Sequence, residues 1–275
     1  MSLKKIAKRS VNYSLGFLSM RIVEHSRSPF ESLSKASRYV PGQAMIRGKR
    51  FQYVDEASFR ASYREIFIDQ IYDFESSSDE PRILDLGSNT GLSAIYFKQR
   101  FPRSRLTCVE ADETLLEVLR SNLVSFGYED TEVLHRAVCD REGTVVFNRE
   151  GSDAGRLSRG ANDATSESTE VEAMTLDGLL CEPVDFLKMD IEGAEVDVLS
   201  KSTLLRNVSQ LFVEFHSFSN SEQRLSELLL SLENAGFRYY IKTQFCSSKP
   251  LLEERHQLGM DLQLNIWCNR NEPTS

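Results

Sequence analysis

Residues 82–97 read Arg-Ile-Leu-Asp-Leu-Gly-Ser-Asn-Thr-Gly-Leu-Ser-Ala-Ile-Tyr-Phe, a short apolar strand that passes two glycines, Gly87 and Gly91, and enters a helix. Glycine lets the backbone turn tightly and approach a ligand, and a helix N-terminus offers unpaired amides. The next apolar run, 105–110, closes on Glu110, 19 residues beyond Gly91. A carboxylate at that strand end can accept both hydroxyls of a ribose. Strand, glycine turn, helix and terminal carboxylate together predict a nucleoside-binding half-fold.

Outward from this unit, strand-length apolar runs alternate with helical patterns. The spacing predicts strands at 131–137, 143–148, 171–175, 184–189, 210–215, 237–243 and 262–268, and helices at 112–126, 194–205 and 222–235, with Asp112 as a cap. This alternation implies right-handed crossovers and an α/β fold, with a mostly parallel sheet covered by helices on both faces. The last two strands have no helix between them, so they form an antiparallel pair. Ligands in such a sheet bind at the carboxyl ends of the strands, near the switch in strand order. Upstream, Phe59, Tyr63, Ile66, Phe67, Ile71 and Phe74 recur at helical spacing and predict an amphipathic helix over 56–74. Residues 75–81, rich in serine and acid, read as a linker. The chain thus divides into a basic, mainly helical extension, 1–80, and an α/β domain, 81–270.

The missing residues narrow the nucleoside. A dinucleotide pyrophosphate usually needs G-x-G-x-x-G, and only Gly87 and Gly91 are present. Asp85 would repel a phosphate and suits a cationic ligand end, such as the amino group of a methionine moiety. Gly42 to Lys49 has a P-loop outline, but five residues separate its glycines and Arg50 stands where Ser or Thr must hold magnesium.

The D-x-G-x-x-x-G turn with an acidic second strand end resembles the class I S-adenosylmethionine-dependent methyltransferases. Asp185-Phe-Leu-Lys188-Met-Asp190-Ile-Glu192-Gly193-Ala-Glu195, with Thr175-Leu-Asp177 before it and Leu211-Phe-Val-Glu214-Phe-His216 after it, is similar to the FkbM methyltransferases. The segments Glu65-Ile-Phe and Ala137-Val-Cys-Asp140-Arg-Glu-Gly143 extend the resemblance over about residues 59–268. It implies a Rossmann-like, seven-stranded sheet and transfer of a methyl group to a hydroxyl of a sugar, glycan or secondary metabolite. It also implies S-adenosylmethionine as cofactor, held by Asp85, Gly87, Ser88, Asn89, Gly91, Glu110, Ala111, Ala137, Val138 and Asp190.

The residues of the fourth and fifth parallel strands carry the candidate chemistry. Lys188 and Asp190 alternate onto one face, and a lysine in an apolar strand is costly unless Asp190 or Glu192 pairs with it. Asp190, at the strand end, would face the sulfonium. Glu195 reads as a structural pairing residue. Glu214 and His216 end the neighbouring strand, and His216 is the expected base for the departing hydroxyl proton. Asp190, Glu192, Glu214 and His216 could instead gather a divalent cation such as magnesium, and the sequence leaves that choice open. The polar insertion 149–170 reads as a lid or acceptor loop, with Asp153 and Arg156 as its contacts.

Composition sets the outer limits. With 40% hydrophobic and 27% charged residues, 14 Gly and 7 Pro, the chain is an ordinary globular protein. Five scattered cysteines without C-x-x-C fit a reducing compartment, the cytoplasm, and neither a disulfide framework nor a zinc site. Residues 1–50 carry eleven Lys/Arg against Glu24 and Glu31, a net +9, which leaves −17 on the rest of a chain whose total is −8. This arm has two readings: a packed or tethering element for a membrane or subunit, and a grip on nucleic-acid phosphates. The second would suit a nucleic-acid methyltransferase, but Asp190 is followed by Ile-Glu-Gly and not by the Pro-Pro-aromatic signature of base methylation. A third class is a non-catalytic binding module built on the same fold.

Overall fold

The structure is a computed structural model that describes residues 39–148, 156–157 and 168–270. It begins with a β-hairpin, β1 (Gly42–Ile46) and β2 (Lys49–Tyr53), within the extension that the sequence reading takes as mainly helical. Arg47 and Gly48 both take positive φ, +48° and +81°, which gives the two-residue turn that matches strand twist. Asn122, fully buried in the helix below, clamps the hairpin: its Oδ1 accepts from Gln52 N at 2.7 Å and its Nδ2 donates to Gln52 O at 2.8 Å.

Helix α1 (Glu56–Tyr63) starts on an Asp55 cap and widens into a π-helical turn over Arg64–Ile68. It stops short of the expected residue 74, because Gln70 adopts φ +54° and turns the chain. The turn lets Tyr72 and Phe74 dock their rings on Phe212 and Phe186, centroids 4.8 and 4.5 Å apart. Continued as a helix, the segment would carry these aromatics away from the sheet.

The Rossmann-like core then follows the expected alternation: β3 (Arg82–Leu86), α2 (Leu92–Arg100), β4 (Arg105–Glu110), α3 (Glu113–Phe126) and β5 (Glu132–His135). The run expected as one strand over 131–137 breaks at Arg136. Its second part, β6 (Ala137–Cys139), joins a separate four-stranded sheet with β7 (Gly143–Asn148), β8 (Arg156–Leu157) and β9 (Ser168–Thr175). After α4 (Leu176–Leu179) come β10 (Val184–Met189), α5 (Glu195–Lys201), β11 (Val208–Phe218), α6 (Leu225–Asn234), β12 (Phe237–Cys246) and β13 (Met260–Arg270). Helix α5 ends at Lys201, four residues early, because Asp177 captures Ser202 Oγ at 2.6 Å and Thr203 N at 3.0 Å.

The main sheet has the order β12-β13-β11-β10-β3-β4-β5. Strands β11, β10, β3, β4 and β5 are parallel, and β13 runs antiparallel between β11 and β12. Alternate residues feed two apolar layers. Leu84, Leu86, Leu187 and Met189 face α4, α5 and α6, whereas Ile83, Phe186 and Phe212 face α2, α3 and the N-terminal segment. That burial on both faces explains why the parallel strands read as nearly continuous hydrophobic runs. The order reverses between β3 and β10, and the carboxyl ends of these two strands open onto the candidate site.

Candidate active site

At the end of β3 the chain needs a sharp turn, and Gly87 supplies it with φ +76°. A Cβ at this position would lie 1.8 Å from the carbonyl oxygen of Asp190, so only glycine lets the loop pass beneath β10. Asn89, with φ +50°, donates its amide to Glu110 Oε2 at 2.7 Å. Gly91, with φ +87°, caps α2, and a Cβ there would strike Leu119 at 2.4 Å. The turn is thus held by packing on both sides.

Glu110 is the opposite wall. Its Oε1 accepts from Ala111 N and Asp112 N, both at 2.9 Å. Burial outweighs these bonds and pushes its pKa up to about 7. A cleft runs from here to the turn after β10, lined by Gly87, Asn89, Glu110, Ala111, Ala137, Val138 and Asp190. Those seven are among the residues named from the sequence, and the structure gathers them around one opening. The lining fits an adenosyl ligand: the Glu110 carboxylate, which already takes three backbone amides, is an acceptor for a ribose hydroxyl, beside apolar Val109, Leu115, Val138 and Phe147 for a base. Leu115, Arg136, Phe147 and Ile191 also line it and were not legible beforehand; Phe147 arrives from the separate small sheet.

Asp85 differs from its expected role as a direct cofactor contact. It is fully buried, accepts from Ser93 Oγ at 2.6 Å and pairs with Lys188 at 3.5 Å. The β3–β10 register sets Lys188 directly opposite Asp85, which places the ion pair under the turn and away from the cleft. Lys188 also reaches Asp190 Oδ2 at 3.4 Å and donates to the carbonyl of Gly87 at 2.6 Å. Burial opposes its charge, but Asp190 and Asp85 override burial and hold the ammonium above its usual pKa. Lys188 is thus a brace for the turn; its partners are Asp85 and Asp190, of which the sequence reading had named only the second. Ser88, also buried, donates to Asp85 O at 2.7 Å and faces a second cavity. That cavity lies under the N-terminal segment, lined by Tyr53, Ser58, Ser62 and Tyr72, and shares Asn89 and Asp190 with the cleft.

Past Asp190 lies a cluster of charge. Glu192 and Gly193 both take positive φ, +54° and +100°, and Glu195 Oε1 secures that turn by accepting from Gly193 N at 2.9 Å. The same oxygen accepts from His216 Nδ1 at 2.9 Å, a pairing that gives Glu195 its structural role. His216 Nε2 points toward Glu192, Asp190 and Glu214 at 3.6, 3.8 and 3.9 Å. Burial would lower its pKa, but Glu192, Glu195 and Glu214 reverse the sign and hold it well above 6.5. The carboxylates thus favour the charged imidazole, so the base role expected of His216 requires its Nε2 proton to leave first. Glu214 is driven the other way: burial and then Asp190 raise its pKa well above the usual carboxylate range. Gln263 on β13 donates its side-chain amide to Glu214, a contact no sequence signal announced. Asp153 lies outside the described residues, and of Arg156 only the backbone is described, paired with Asn148.

A model of the methyltransferase FkbM domain matches residues 85–239. The chain is 26% identical over 192 residues to methyltransferase sdnD of Sordaria araneosa, covering 56% of this chain and 74% of that protein. It is 27% identical over 148 residues to the 2-O-methyltransferase NoeI of Sinorhizobium fredii, covering 46% and 60%. Among solved structures, methyltransferase FkbM from Methylobacillus flagellatus aligns with a TM-score of 0.44 at 17% identity, over 70% of this chain and 45% of that one. TYW2 of M. jannaschii, solved in complex with AdoMet, aligns with a TM-score of 0.46 at 11% identity, over 87% and 90%. The family match spans more than half of the sequence and takes in both the glycine turn and the Lys188–Glu195 segment: the chain belongs to the FkbM family of S-adenosylmethionine-dependent methyltransferases.

Proposed function

We propose that the protein methylates a hydroxyl of a sugar, glycan or secondary metabolite. The observation that carries this reading is the meeting of two cavities at Asn89 and Asp190, one suited to the cofactor and one walled by Tyr53, Ser58, Ser62 and Tyr72. A wall of hydroxyls offers matched donors and acceptors to a polyol. The relative NoeI, whose name specifies 2-O-methylation, supports the same class.

S-adenosylmethionine, when bound, supplies a sulfonium methyl whose sulfur leaves as a neutral thioether. The residues of this chain supply position and proton transfer. Gly87, Asn89 and Glu110 hold the cofactor's nucleoside and methionine parts, with Ala111, Ala137 and Val138 beside its base. Asp190, at the junction, orients the acceptor. Glu214, whose carboxylate is biased by burial and by Asp190 toward taking up a proton, receives the hydroxyl proton by way of the cluster. Asp85, Ser88 and Lys188 keep the turn in shape.

A panel of methyl glycosides, hydroxylated metabolites and RNA oligonucleotides, incubated with full-length protein and labelled S-adenosylmethionine, tests the reading. Gain of one base-stable methyl on a hydroxyl acceptor is expected. Label on a base nitrogen of RNA would instead favour the nucleic-acid alternative, for which the basic residues of 1–50 would hold phosphates. The membrane or subunit contact expected of that arm stays a proposal, tested by co-sedimentation with acidic vesicles. Among the described residues, no helix is long and apolar enough to cross a membrane.

A further inference from the structure

The Asp190–Glu192–His216 group combines features that a surface patch of carboxylates lacks. One ligand atom from each residue lies within 4.8 Å of the others. His216 itself is 1% exposed in its side chain, and its ring is fixed from behind by fully buried Glu195, 2.9 Å from Nδ1. A carboxylate on the far nitrogen sets the tautomer and aims the other nitrogen, the arrangement that usually backs a metal-bound histidine. Nε2 is thereby aimed into the group, yet Glu192, Asp190 and Glu214 stand at 3.6, 3.8 and 3.9 Å, beyond direct hydrogen bonds. The other polar neighbour is the Gln263 side-chain nitrogen at 3.5 Å, itself engaged with Glu214.

These separations suit a cation between the atoms better than direct contact. With metal–donor distances of about 2.1 Å, donors of an octahedral ion stand roughly 3 to 4 Å apart. The charge favours it as well: Asp190, Glu192, Glu195 and Glu214 gather there, and Lys188, which pairs with Asp190, is shared with Asp85 and the Gly87 carbonyl.

We propose that Asp190, Glu192 and His216 form a divalent-cation site next to the cofactor cleft, with Glu195 as the positioning residue behind His216. The donor set, two carboxylates and one imidazole whose Nε2 proton the entering cation displaces to solvent, fits Mn²⁺, and Mg²⁺ where bound hydroxyls complete the shell. Three protein ligands leave positions open for an acceptor's oxygens. A cation there orients a hydroxyl of a polyol and lowers its pKa. This use rests on the hydroxyl-transfer reading, whereas cation binding does not.

Mn²⁺ titration of the full-length protein without cofactor or acceptor, followed by electron paramagnetic resonance, tests the site. One Mn²⁺ per chain is expected, displaced competitively by Mg²⁺. Glu192→Gln and His216→Gln should each weaken binding at least tenfold, and Glu195→Gln between ten- and a hundredfold. Glu233→Gln, whose residue pairs with distant Tyr239, should leave it unchanged. Circular dichroism and a cooperative urea transition certify that each variant is folded. Should a variant fail to fold, paramagnetic broadening by Mn²⁺ in the wild type decides: loss of the His216 ring signals supports the site, and their persistence overturns it. No saturable Mn²⁺ binding, or binding indifferent to Glu192→Gln and His216→Gln in folded protein, overturns it too. A bound cation with methyl transfer to a base nitrogen of RNA would leave the site standing and remove the hydroxyl reading.

Discussion

Glu110 shows how one residue trades stability for binding. Its pKa is raised from 4.5 to about 7, chiefly by burial, so the protonated form is the one the ligand-free fold prefers. The stabilisation from that preference is complete below about pH 4.5 and is lost as pH rises through 7. The ionised carboxylate is the better acceptor for ribose hydroxyls, so the affinity for S-adenosylhomocysteine should rise roughly tenfold between pH 6 and 8. Calorimetric titration at pH 6, 7 and 8 measures this, and a flat profile would contradict the assignment of Glu110 to the ribose. Gly87 makes a second prediction at the same scale. Gly87→Ala meets the Asp190 carbonyl and a left-handed backbone, and the backbone strain alone costs about 1–3 kcal/mol. The variant should lose stability in urea and bind S-adenosylhomocysteine at least tenfold more weakly. Unaltered affinity would mean that the loop closes elsewhere.

Among elements, the β1–β2 hairpin matters most for the site, because Tyr53 and the start of α1 form the roof of the second cavity. Asn122 fastens it, and also donates to Thr90 O in the glycine loop at 2.8 Å. One buried amide in α3 thus ties the roof to the cofactor turn. Asn122→Leu leaves the Gln52 amide and carbonyl without partners at a cost of about 1–3 kcal/mol each where they stay buried. The Gln52 amide should then exchange with deuterium much faster, with the amides of β10 and β11 little affected. Equal protection at Gln52 would show that packing alone holds the hairpin.

For the whole molecule, the apolar layer under the N-terminal segment is continuous with the sheet. Phe51, Phe59, Phe67, Tyr72 and Phe74 belong to the same buried cluster as Phe97, Phe186 and Phe212. Deleting residues 1–74 should expose this aromatic layer and yield an aggregated or molten chain, seen as loss of near-ultraviolet circular dichroism. A monomeric, cooperatively unfolding product would show that the α/β part stands alone.

Much of this was legible in the one-dimensional pattern. Hydrophobic runs buried on both faces revealed the parallel strands, the spacing of Gly87, Gly91 and Glu110 revealed the cofactor half, and the 185–195 segment carried the family resemblance. These signals are local, set by strand period, turn chemistry and the short reach between a strand end and the next helix. Other features depend on residues far apart in the chain. The hairpin was hidden because its turn, Arg47-Gly48, sits in a segment dominated by charge. The inward burial of Asp85 depends on the β3–β10 register, which sets Lys188 opposite it, and the raised pKa of His216 on three carboxylates, Glu192, Glu195 and Glu214, converging from a loop, a helix and a strand. By itself the sequence determined the parallel sheet and the end of it that binds. Only the tertiary structure decided which of those end residues line the cleft and which way their pKa values move, because burial and the sum of neighbouring charges are properties of the packed chain.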